Sequence, residues 1–318
     1  MYLVKKIVVG IEMPPSHPWD AANLEAPSRL AVRQAFQLAA SAKLPVSLVT
    51  VLPEPNAGWF GSAEQARRDH EVALTEANSV LQDLAAQYAT ESNIVVECVV
   101  GVGKPWMELL RVAGNADDTM IICGSRPVGA VSRALFGSTG LKLLRYACGP
   151  VWLVKAVPDD DDRLDILATT DLTEIGGDIL GLSVGLAKCI PSRLSVLHVA
   201  EGTVERYMRR TGVSVEQLEE MRARSIEEAT HRVHDQLAQT DFRTLENGVQ
   251  VKVASGPADV GILNAIQNLN INVVVMASQA RGGVSGMVLG NTAETLLSEV
   301  SCSLIVIKPD DFKCPLQF

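Results

Sequence analysis

Short, near-continuously apolar runs rich in β-branched residues alternate with longer amphipathic stretches along the whole chain, and this alternation predicts strands and helices in succession. The first run is Lys6-Ile-Val-Val-Gly-Ile11. A polar segment carrying Pro14, Pro15 and Pro18 separates it from a helical pattern over about 28–42, after which Pro45-Val-Ser-Leu-Val-Thr-Val-Leu52 reads as a second, buried strand. A helical stretch over about 63–89 leads to Ile94-Val-Val-Glu-Cys-Val-Val100, and a helix from about Pro105 to Ala113 leads to Thr119-Met-Ile-Ile-Cys123. A helix over about 138–146 and the strand Val151-Trp-Leu-Val154 complete the set.

The same order then begins again, through Leu164-Asp-Ile-Leu-Ala-Thr-Thr170, Leu194-Ser-Val-Leu-His-Val199, Gly248-Val-Gln-Val-Lys-Val253, Val273-Val-Val-Met276 and Leu304-Ile-Val-Ile307. The two series end alike. Cys123-Gly-Ser-Arg-Pro127, Phe136-Gly-Ser-Thr139 and Val151-Trp-Leu-Val-Lys155 return as Met276-Ala-Ser-Gln-Ala280, Leu289-Gly-Asn-Thr292 and Leu304-Ile-Val-Ile-Lys308. An offset of about 150 residues is far longer than a solenoid period, so it marks duplication of a whole domain. The expected fold is α/β: two tandem doubly wound domains, each a five-stranded parallel sheet with helices on both faces. Pro158-Asp-Asp-Asp-Asp-Arg163 is a run of like charges that resists packing, and it divides the chain into a first domain at 1–157, a linker at 158–163, a second domain at 164–309 and a tail at 310–318.

Composition narrows the function classes. With 318 residues and 47% hydrophobic content the chain can build two cores, and its net charge of −9 without a basic cluster argues against nucleic-acid or anionic-membrane partners. No apolar run approaches the roughly 20 residues that cross a bilayer, and Lys5-Lys6 leads directly into a strand without a cleavable signal pattern; the expectation is a cytoplasmic protein. Cys98, Cys123, Cys148, Cys189, Cys302 and Cys314 show no C-x-x-C spacing and are expected to be reduced core residues, with Cys314 the exposed thiol. His231 and His234 lack further ligands at metal spacing and read as an exposed face, whereas His198 reads as a hydrogen-bonded structural residue, and no metal site is expected. No nucleophile elbow, H-E-x-x-H or Walker A pattern occurs, which gives no catalytic residues.

The candidate chemistry lies in the glycine-bearing loops after the fourth strand of each half. Open α/β sheets bind ligands beyond the C-terminal ends of their strands, where helix N-termini present backbone N–H groups to anions. The first half reads Gly124-x-x-Pro127, nine residues, then Gly137-Ser138-Thr139; the second reads Ala277-x-x-Ala280, nine residues, then Gly290-Asn291-Thr292. Positive φ at the first glycine would make Ala277 and Ala280 costly substitutions, and Pro127 removes an N–H. Gly-Ser and Gly-Asn at a helix start also serve as ordinary N-caps.

A first strand followed by an acidic residue, the loops Gly103-Lys-Pro105 and Gly256-Pro257, and the spaced Gly/Ser motif together resemble the universal stress protein family, most closely its tandem-domain E type, over nearly the whole chain. The resemblance implies an adenine nucleotide alpha hydrolase-like fold and a non-enzymatic role in cytoplasmic stress response. It also implies a small-molecule partner, ATP or a related adenine nucleotide, at the strand ends. Carried over by position, Glu12 and Val51 would face base and ribose in the first half, with Gly124, Ser125, Gly137, Ser138 and Thr139 around the phosphates. Asp171 and Val199, with Ser278, Gly290, Asn291 and Thr292, would do so in the second. Neither set is complete, the second being poorer in its loop. The resemblance further implies pairing of the two halves through their last strands as a pseudo-dimer, with a homodimer beyond it. A nucleotide-binding transferase-type enzyme and an interaction protein with inactive pockets stay open as alternatives.

Overall fold

The computed structural model describes residues 4–56, 62–89, 94–125, 136–155, 163–200, 214–278 and 290–316. These form two compact units: one takes 4–125, 136–155 and the tail 312–316, the other the described residues of 163–311. The linker proposed at 158–163 falls, except for Arg163, outside the described residues, as do Pro127 and Ala280.

The first unit is a five-stranded parallel sheet. Its strands are β1 (Lys6–Ile11), β2 (Val46–Leu52), β3 (Val96–Val102), β4 (Thr119–Gly124) and β5 (Val151–Val154), in the spatial order β3-β2-β1-β4-β5. Its helices are α1 (Ala26–Ala42), α2 (Ala63–Ala89), α3 (Pro105–Ala113) and α4 (Ser138–Tyr146). The order reverses between β1 and β4, whose partners run Ile7 to Met120 and Gly10 to Cys123, and such a switch point opens a crevice at the strands' C-terminal ends. Ile7, Val8 and Val9 are fully buried, as a central strand covered on both faces requires.

The second unit repeats this plan with β6 (Leu164–Thr170), β7 (Ser192–Ala200), β8 (Val249–Ser255), β9 (Val273–Ala277) and β10 (Ser303–Ile307), in the order β10-β9-β6-β7-β8. Its helices are α5 (Glu174–Cys189), α6 (Val215–Leu237), α7 (Ala258–Leu269) and α8 (Asn291–Glu299). The duplication extends to single hydrogen bonds. Gly103 N–H donates to Leu52 O at 2.8 Å and Gly256 N–H to Ala200 O at 3.1 Å; Ser125 N–H donates to Val154 O at 2.7 Å and Ser278 N–H to Ile307 O at 3.0 Å. Gly103 and Gly256 turn sharply at φ of 115° and 128°, a region closed to most side chains, which explains the glycine in both loops.

None of the six cysteines is in a disulfide, and only Cys123 and Cys302 are buried. Cys98, Cys148 and Cys189 are half-buried and not core residues as expected, and Cys314 is no more exposed than they are. The reason is position: Cys98 lies on the end strand β3, Cys189 on the last turn of α5, and Cys148 in the turn before β5. The tail packs on the first unit, where Leu316 O accepts from the Asn115 amide at 3.4 Å and the Cys314 backbone N–H reaches the Cys148 sulfur. No described helix is long and apolar enough to cross a membrane.

Candidate functional site

At the switch point of the first unit the C-terminal ends of β1, β2 and β4 enclose a cavity of about 640 Å³, within the usual range for small-molecule sites. Strand β1 contributes Gly10 and Ile11 and leads into Glu12; β2 contributes Val51 and Leu52; β4 ends in Cys123 and Gly124, followed by Ser125. Helix α4 presents its N-terminal residues Gly137, Ser138 and Thr139 to the same space. The structure thus brings together all seven candidates of the first half, from three strand ends and one helix start.

Ser125 has an unusual environment. It is only 7% exposed, and among the described residues its hydroxyl has no hydrogen-bond partner, although its backbone N–H is paired with Val154. A buried hydroxyl left unpaired costs about 1–3 kcal/mol, so a group that enters the cavity and bonds it recovers that energy. Beside it, α4 starts at Gly137 with no side-chain cap, which leaves its first N–H groups available to an anion. Glu12 is exposed at the cavity's rim, and its carboxylate adds to the burial that pushes the Cys123 thiol up to about 12. Cys123 is therefore a neutral wall of the cavity and no nucleophile.

The glycines serve a different purpose from the one expected. Gly124 is not among the positive-φ residues, and neither is Ala277, so the expected strain at Ala277 does not exist. A Cβ on Gly124 would instead lie 2.7 Å from the Pro27 carbonyl carbon and 2.8 Å from Ser28 N. This glycine lets α1 pack against the end of β4. Gly137, with φ of −61° and nothing within 4 Å of an added Cβ, borders open cavity space.

Sequence reasoning missed several lining residues. Met13, Pro14, Pro15 and Trp19 come from the long connection between β1 and α1, Ser28 from α1, and His70 and Ala73 from one face of α2. A signal was present, because a proline-rich loop carrying His17 and Trp19 is conspicuous in a chain with 4% aromatic residues.

In the second unit Asp171, Val199 and Ser278 are engaged in structure. Asp171 follows β6 directly, and Thr173 donates to its Oδ1 from both the backbone N–H, at 3.0 Å, and the hydroxyl, at 2.5 Å. Thr170 donates its hydroxyl to Gln236 Oε1 at 2.8 Å, while the Gln236 amide donates to Thr173 O at 2.8 Å, so α6 is tied across the strand end. His198 Nδ1 lies 2.8 Å from Thr170 O, a structural contact. Val199 packs on α7, where a Cβ on Gly261 would come within 2.8 Å of its methyl. Ser278 is buried and its hydroxyl stands 3.4 Å from Lys308 Nζ, whose burial holds the ammonium down at about 8. Gly290 caps α8 at φ −62° and ψ 151°, close to Gly137, and Thr292 is half-buried in its first turn beside Asn291. Among the described residues no cluster of His, Cys, Asp and Glu could hold a metal.

The chain matches the universal stress protein family over residues 4–155 and 165–308. It is 23% identical to Universal stress protein E of Escherichia coli over 243 residues, which cover 73% of this chain and 74% of that one. With a universal stress protein of Mycolicibacterium smegmatis it shares 24% identity over 304 residues, 89% of this chain and 94% of the other. Among solved structures, a functionally unknown protein from Pseudomonas aeruginosa matches with a TM-score of 0.68 at 22% identity, covering 97% of this chain and 94% of that one. A universal stress protein from Archaeoglobus fulgidus matches at 0.60 and 18%, covering 95% and 98%. At these identities the structural likenesses establish the fold.

Proposed function

The chain belongs to the universal stress protein family, and from that premise we propose that it is a non-catalytic binding module of the cytoplasmic stress response, whose first half holds an adenine nucleotide at the ends of β1, β2 and β4. The observation that carries this reading is the Ser125 hydroxyl, buried on the wall of the cavity without a partner among the described residues. It stands in the same cavity as the uncapped start of α4, so that a phosphate there would accept from Ser125, Ser138, Thr139 and the first N–H groups of the helix. Glu12 and Val51 line the other strand ends, a carboxylate for ribose hydroxyls or a base amine and an apolar side chain for a ring.

The second half is proposed as the weaker site. Its acidic residue is engaged by Thr173, and Thr170 and Thr173 are bonded to Gln236 at the strand end. Binding in one half and structure in the other suits a protein that reports a nucleotide by a change of surface, since a ligand acts on a conformational equilibrium only through unequal affinity for its two states. The reading is tested by melting the full chain with ATP and with AMP. Ligand at 100 times its Kd raises stability by about 2.7 kcal/mol, an easily resolved shift. No shift with either nucleotide, or steady turnover of ATP to ADP, would overturn it.

A further inference from the structure

The two halves differ most in the connection that leaves their first strand. In the second unit β6 passes to α5 through Asp171–Thr173 alone, whereas in the first unit the chain runs from Glu12 to Glu25 before α1. Long connections in compact domains are where binding groups are commonly carried. This one brings an indole into the cavity: Trp19 lines it, half-exposed, with Met13, Pro14 and Pro15.

Two contacts hold the indole, and a third anchors one of its partners. Its Nε1–H donates to Pro14 O at 2.9 Å, which folds the loop on itself. The His17 ring stacks on it with centroids 4.3 Å apart and planes 20° from parallel. His17 Nδ1 in turn stands 2.8 Å from Glu76 Oε2 on α2, the helix that contributes His70 and Ala73 to the cavity. One face of the indole is thus covered by His17, and the loop is joined to α2. A large aromatic side chain held with few degrees of freedom is well suited to accept a planar ring.

We infer that Trp19 is a specificity-determining residue of this site: its face away from His17 stacks on the planar ring of the ligand, and the His17–Glu76 contact positions it. The inference rests on the adenine-nucleotide reading and adds what selects a ring-bearing ligand over a sugar phosphate alone. Stacking of a base on an aromatic side chain corresponds to about fivefold or more in affinity per ring. The phosphate contacts at Ser125 and α4 do not involve Trp19.

The test is calorimetric titration of the full chain with AMP and, separately, ribose 5-phosphate, for wild type, Trp19→Phe, Trp19→Ala and Glu76→Gln. Trp19→Ala is expected to lose about tenfold in AMP affinity and Trp19→Phe far less, with ribose 5-phosphate unchanged in both. Should Trp19→Ala fail to fold, Glu76→Gln, which leaves the indole in place and frees His17, is expected to weaken AMP selectively. AMP binding unchanged in Trp19→Ala, or an equal loss for both probes, overturns the role of Trp19 and leaves the nucleotide site standing. No binding of AMP by wild type overturns both.

Discussion

Asp171 accepts two hydrogen bonds from Thr173 through one oxygen, at 3.0 Å from the backbone N–H and 2.5 Å from the hydroxyl, so the carboxylate that ends β6 organises the entry to α5. This is the Asx-turn geometry by which a short acidic side chain satisfies local backbone. Asp171→Ala should lower stability by about 1 kcal/mol in urea denaturation of the full chain. Nucleotide affinity should not change. A loss of affinity in this variant would restore Asp171 as a ligand residue.

Gly137 borders empty cavity space at a φ that any residue adopts. Gly137→Val should therefore fold with a melting temperature near wild type, while its branched side chain occupies the ground before α4 where a phosphate would sit. The nucleotide-dependent rise in melting temperature should vanish. A variant that still shows the full shift would place the phosphate elsewhere.

Gly124 and Ala277 occupy the same place in the two halves, and the structure separates them by steric room and not by backbone angle. Only the first has the Pro27 and Ser28 backbone pressed against it, under 3 Å from where a Cβ would sit. Gly124→Ala should destabilise by about 1–3 kcal/mol, the range of overpacking changes against an unyielding neighbour. Denaturant titration at constant m-value reads this directly.

The sheets were legible in the sequence because parallel strands buried on both faces are continuously apolar. Val151-Trp-Leu-Val154 coincides with β5, and the helix read at about 138–146 is α4. Strand β3 came out two residues later than its apolar run, since at the sheet's end burial no longer marks the boundary. Of the first-half cavity, the Gly/Ser loop positions stood out by their spacing, while Glu12 and Val51 at the strand ends were implied by the family resemblance. The rest of its wall was not legible. Trp19 and Ser28 reach the cavity through a loop path and a helix packing that no periodicity encodes, and the role of Gly124 depends on Pro27, a residue distant in sequence.

Lys308 gives a pH dependence of definite sign. Burial lowers its titration from 10.5 to about 8, so between these values the unfolded chain holds a proton that the folded chain has released. Stability then rises with pH across that window by up to about 3 kcal/mol from this group, and below it the full burial penalty applies. Cys123 acts oppositely above pH 9, because the folded thiol keeps its proton to about 12. Comparing Lys308→Met with wild type at each pH cancels that contribution. The variant should be the more stable at pH 7, with the difference shrinking toward pH 10.5; a constant difference would mean that Lys308 is not held down by burial.

The most direct test of the account is the stoichiometry of ATP binding to the full chain by isothermal titration calorimetry. One tight site per chain is predicted, formed by the first-half cavity, with any second event much weaker because the second half's strand end is tied by Asp171, Thr173 and Gln236. Two equal sites, or no heat of binding at all, would contradict it.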